Sequence, residues 1–113
     1  MLCACTAKGP ESLAPERVRT DLEQDAYVKN CVRQGFVLSA AEILTQTPTE
    51  DGLEILTVLH FEGTETPQTL ALLCAPVSTV RAHYAYREGL AVFERLSLEL
   101  SRSQLKRLRE QPH

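Results

Sequence analysis

The spacing of apolar residues changes once along this chain, at Gly35, and that change limits what the chain can fold into. From Leu13 to Gln34, the residues Ala14, Val18, Leu22, Ala26, Val28 and Val32 share one stripe at helical period, with Tyr27 and Cys31 on the opposite side. Ser12 is placed to cap such a helix. Pro15 suits its first turn, because the N–H it lacks has no intrahelical acceptor there. Glu16 near the start and Lys29 and Arg33 near the end complement the helix dipole, and Gly35 stands where a left-handed C-terminal cap is wanted. The expectation is one amphipathic helix.

After Gly35 the period moves toward two. Five apolar runs follow, at 36–46, 53–61, 69–75, 80–87 and 90–100, separated by short segments rich in Pro, Gly, Thr and Glu. Connections this short hold no crossover helix, so neighbouring strands should be antiparallel and in meander order. Leu53, Ile55, Thr57, Leu59 and Phe61 form one apolar set, and Val80, Ala82, Tyr84 and Tyr86 another. Leu90, Val92, Leu96, Leu98 and Leu100 form a third, opposite Arg95, Ser97 and Glu99. A two-residue loop at Glu88-Gly89 would set the last two sets on opposite faces, so a three-residue loop at 87–89 is expected. It pairs Tyr84 with Val92 and puts Gly89 at positive φ.

The fold class read from this pattern is α+β. An N-terminal amphipathic helix packs on one face of a curved antiparallel sheet of four to five strands, and a short C-terminal helix follows at 101–110. At 113 residues there is room for one core. Residues 1–12 read as a leader or flexible tether and 13–113 as a single domain.

Composition excludes several classes. Aromatics reach 5% with no Trp, too few exposed rings for a base- or sugar-stacking platform. The last thirteen residues carry a net +3 against −6 for the first hundred, and four cations beside an acidic body are a weak footprint for nucleic acid. No run of 18 apolar residues spans a bilayer. The five glycines are too dispersed for a phosphate cradle, and no cofactor motif is present.

Cys3-Ala4-Cys5 has no second ligand pair, so no metal site is expected. Cys74, alternating with Leu70 and Leu72, reads as a buried thiol. The helical wheel and strand pleat point Cys31 and Cys74 apart, against a disulfide between them.

Two function classes remain. The favoured one is a non-enzymatic binding or assembly module whose sheet face or edge recruits a protein partner or a second copy, because one helix cannot cover the whole sheet. The alternative is a small-molecule-binding protein or enzyme with a pocket between helix and sheet, for which His60, His83, Tyr84 or Tyr86 are the candidate lining groups.

Leu2-Cys3-Ala4-Cys5 also matches the end of a bacterial lipoprotein signal. That makes Cys5 a candidate lipidation site and residues 6–12 its tether. The reading requires an export segment upstream of Met1. It gives an envelope-anchored, periplasmic location, and a cytoplasmic one otherwise.

Overall fold

The computed structural model describes residues 9–99. The expectations placed on Cys5, on the leader and on the C-terminal helix lie outside the described residues. The order of elements is α1 (Pro15–Glu23), α2 (Ala26–Arg33), β1 (Val37–Pro48), β2 (Gly52–Glu62), α3 (Pro67–Ala71), β3 (Val77–Arg87) and β4 (Leu90–Leu98). The four strands form one antiparallel sheet in the order β1-β2-β3-β4, the expected meander.

The single N-terminal helix is in fact two. Asp25 adopts an extended backbone and its carboxylate accepts the Tyr27 N–H at 2.9 Å, so it is the N-cap of a new helix inside the apolar stripe. Ala14, not Ser12, occupies the N-cap position of α1, without a side-chain cap. The break resets the helical phase. Val18 and Leu22 of α1 and Val28 and Cys31 of α2 are buried, Tyr27 turns inward, and Ala14, Ala26 and Val32 are exposed.

The expected strand at 69–75 is also a helix. Thr66 and Thr69 form a reciprocal capping box, with Pro67 at the first helical position, and these start signals outweigh the apolar run that follows.

Both α2 and α3 end in the same way. Gly35 N–H bonds to Val32 O and Phe36 N–H to Cys31 O. In parallel, Leu73 N–H bonds to Leu70 O and Cys74 N–H to Thr69 O. These are paired Schellman closures with Gly35 and Leu73 at positive φ, one as expected and one on a residue with a side chain. They present the two cysteines to each other. Cys31 and Cys74 form a disulfide with Cα atoms 5.6 Å apart, both fully buried, which corrects the expectation that they diverge.

The last hairpin corrects a second expectation. Its loop is Glu88-Gly89 alone, both at positive φ, which is the type I′ geometry that matches strand twist. Tyr84 therefore pairs with Phe93, and Val92 faces away from the core at 40% exposure. The conflict of parity foreseen from the sequence is real. An extra residue, Glu94, resolves it by bulging between the Tyr84–Phe93 and His83–Arg95 pairs, which returns Leu96 and Leu98 to the core side. In β1, Ser39 and Leu44 are extra residues of the same kind.

One core joins the helices to the sheet, with Val18, Leu22, Val28, Leu53, Ile55 and Val80 among its buried members. Polar contacts fix α1 over it. Tyr84 donates to Asp21, Arg17 reaches the Ala91 carbonyl on β4, and Arg19 reaches the Leu38 carbonyl on β1 at 2.9 Å. Residues 17 and 19 leave a helix on nearly opposite sides, so the two guanidinium groups engage outer strands on both sides of the sheet and blunt its edges.

Candidate functional site

The four residues picked from the sequence fall on two faces. Tyr84 and Tyr86 lie on the core side of β3 and serve as anchors. The buried Tyr84 hydroxyl donates to Asp21 Oδ2 at 2.7 Å, and that of Tyr86 to Pro10 O at 2.8 Å. Burial, and then the hydrogen bond to Asp21 and its charge, hold the Tyr84 phenol far above its ordinary range, so it is a permanent donor. His83, Tyr84 and Tyr86 nevertheless line one concavity at the end of the sheet, and His60 is not among its lining residues.

His60 and His83 lie on the other face, as the alternation of β2 and β3 implies. His60 is 40% exposed, with Nε2 3.6 Å from Glu42 Oε1. His83 is different. Its side chain is only 16% exposed, Nδ1 lies 3.3 Å from Glu54 Oε1, and Nε2 lies 2.9 Å from Ser97 Oγ. Three strands supply the set. Glu54 of β2 is directly across from His83 of β3, and Ser97 of β4 is diagonal to it because β4 pairs Arg95 with His83 and Ser97 with Arg81.

The bulge at Glu94 makes this possible. Continued pairing from Tyr84–Phe93 without the extra residue would set Ser97 opposite Val80, on the core side.

The electrostatics define the state of the imidazole. Burial lowers the His83 pKa below its ordinary value of 6.5. Arg95 and Arg81 lower it further, against the opposing pull of Glu54 and Glu94. The ring is therefore neutral at pH 7 despite its acidic neighbour. The Glu54 carboxylate beside Nδ1 favours the tautomer with its proton on Nδ1, and in that tautomer Nε2 accepts from the Ser97 hydroxyl. A carboxylate, an imidazole and a hydroxyl thus stand in this order on one face of the sheet.

Beside His83, an open concavity of about 870 Å³ lies between the β1–β2 and β3–β4 turns. Glu54, Tyr84, Tyr86, Arg87 and Arg95 contribute to its wall. A second, more apolar groove of about 500 Å³ lies between α2 and the start of β1, lined by Glu23, Val28, Lys29, Val32, Arg33 and Val37.

Among the described residues, no cluster of three or more His, Cys, Asp or Glu side chains is arranged to hold a metal ion, and no helix is long and apolar enough to cross a membrane. Comparison with protein-family models, with curated proteins and with solved structures found no match to this chain.

Ser97 was not singled out from the sequence. Ser97 stands there only as a member of the polar set of the last strand, and the cross-strand register is what joins it to His83.

Proposed function

We propose that this chain is a small binding and assembly module that docks a second copy of itself through the groove between α2 and the start of β1. The observation that carries the reading is the pair Val32 and Val37, which share the groove at 48% and 60% exposure. The charges around them are self-complementary. Lys29 and Arg33 lie on the helix side, while Glu62 is directly across from Val37 on the sheet side. A two-fold axis through the valines sets the basic rim of each copy against the acidic rim of the other. Val77, exposed across from His60, extends the apolar surface along the outer face of the sheet.

The disulfide favours an oxidising compartment, since buried structural bridges persist there and not in a reducing cytosol. Lipid attachment at Cys5 belongs to the same reading and would hold the module at an envelope surface. A lipid-sized mass increment that vanishes in Cys5→Ala tests that part.

Light scattering coupled to size exclusion, at tens of micromolar protein, tests the docking. The wild-type chain is expected to elute as a dimer, with Val37→Glu, Arg33→Glu and Glu62→Lys each monomeric and Arg33→Glu/Glu62→Lys restored. A monomeric wild type, or a double variant no better than its parents, sinks the reading.

A further inference from the structure

We propose that Ser97 is an acyl-accepting nucleophile, with His83 as its general base and Glu54 as the residue that positions His83, acting on carboxylic esters of small polar alcohols. The inference goes beyond the docking reading and rests on different residues. Its basis is connectivity. Ser97 Oγ meets Nε2 at 2.9 Å and Glu54 Oε1 meets Nδ1 at 3.3 Å, so the hydroxyl and the carboxylate address opposite nitrogens of one ring, as nucleophile–base–orienter sets require. A chance polar cluster on a sheet face need not satisfy that order. The lowered basicity of His83 supports the assignment, because a ring already protonated at neutral pH takes no proton from serine.

The surroundings suit the chemistry. Backbone N–H groups of a sheet lie in its plane, so charge developing on an acyl oxygen above Ser97 must be met by side chains. Arg81 is directly across from Ser97, its Nε held by Glu99 at 2.6 Å. Arg95 is directly across from His83 and makes no ion pair among the described residues. The concavity lies on the His83 side, and its wall carries Thr49, Asp51, Arg87 and Arg95. An ester whose carbonyl rests over Ser97 therefore directs its leaving oxygen toward His83 and a polar alcohol into that space.

In the first half-reaction Ser97 Oγ bonds to the acyl carbon and its proton passes to His83 Nε2. The acyl–oxygen bond then breaks, and the alkoxide leaves with that proton as the free alcohol. In the second, water attacks the acyl-serine and gives a proton to the same nitrogen, which returns it to Ser97 as the carboxylic acid departs. No cofactor is consumed.

The test uses the full oxidised chain with p-nitrophenyl acetate as substrate and a fluorophosphonate as covalent probe, read by intact and peptide mass. One adduct per chain at Ser97 is expected. Turnover should fall roughly a hundredfold or more in His83→Gln, and both adduct and turnover should be absent in Ser97→Ala. Glu54→Gln should lower kcat with KM little changed and move the acidic limb of the pH–rate profile, which a merely structural carboxylate would not do. Val37→Glu should keep the adduct, which separates this inference from the docking reading. The proposal is overturned if wild type and Ser97→Ala, both folded by circular dichroism, turn over ester equally, or if the probe does not label Ser97.

Discussion

The hydroxyl of Tyr84 and the carboxylate of Asp21, 63 positions apart in the chain, form a 2.7 Å hydrogen bond that ties α1 to the third strand. The same carboxylate oxygen lies 3.4 Å from Arg17 Nε, and the Arg17 guanidinium lies over the Tyr84 ring. Tyr84→Phe keeps the ring and its edge contact with Phe93 but removes the donor. Because Asp21 remains partly hydrated, the expected loss is at the low end for a bond to a charged group, about 1.5 kcal/mol. Urea unfolding should show a lower midpoint with an unchanged slope. An unshifted midpoint would mean that water replaces the phenol without loss.

The disulfide closes a long loop, with its cysteines 43 positions apart. Chain-entropy reasoning gives such a closure about 4 kcal/mol. Cys31→Ala/Cys74→Ala should lose stability of that order. In hydrogen exchange, the amides of α2 and α3 should lose protection before those of β2 and β3. Uniform loss across the sheet would instead show that the bridge supports the whole fold as one unit.

Gly52 begins β2 in close contact with β3. A Cβ placed there would lie 1.8 Å from the Tyr84 carbonyl oxygen, which is backbone and cannot rotate away. Gly52→Ala should therefore cost about 3 kcal/mol or more, at the upper end for an overpacked site. Gly89→Ala meets no neighbouring atom and should cost only the strain of its positive φ, about 1 kcal/mol. Comparable thermal midpoints for the two variants would contradict this ranking.

His83 makes stability depend on pH with a definite sign. Its pKa in the folded chain lies below the ordinary 6.5, chiefly through burial and then through Arg95 and Arg81, with Glu54 and Glu94 opposing. Folding thus favours the neutral ring. That contribution is complete above the unfolded value and is lost as the pH falls from there through the folded one. The stability difference between wild type and His83→Gln should be flat above about pH 7 and should move against the wild type on acidification. A difference that grows in favour of the wild type at acid pH would show that the ion pair with Glu54 outweighs burial.

Legibility in the sequence followed the backbone's regularity. β2 and β3 carry no extra residue within the core-facing sets, so simple alternation correctly turned Leu53, Ile55, Leu59, Val80 and Ala82 inward and both histidines outward. β1 and β4 each contain bulges, and nothing in the chemistry of Ser39, Leu44 or Glu94 marks them as insertions before their partners are known. Asp25 lies inside an apolar stripe that continues through it, and Thr66-Pro67 lies in a polar connection that reads equally well as a turn, so neither marks a helix start by itself. The Glu54–His83–Ser97 set was hidden for the same reason as the register, since Ser97 reaches His83 only after the Glu94 bulge has turned it outward.

The contacts that fix α1 also set an order of events during synthesis. Arg17 and its acceptor Ala91 are 74 positions apart, and Asp21 waits for Tyr84. A helix of nine residues does not persist alone in water, and although α2 and β1 offer it partners early, its anchors to Tyr84 and Ala91 form only once the final hairpin has been made. A nascent chain arrested before Tyr84 lacks the Tyr84 and Ala91 anchors of α1 and keeps only the contact from Arg19 to β1 among the polar ones that fix the helix. A helix that precedes the sheet in the chain is thus locked by the strands that follow last.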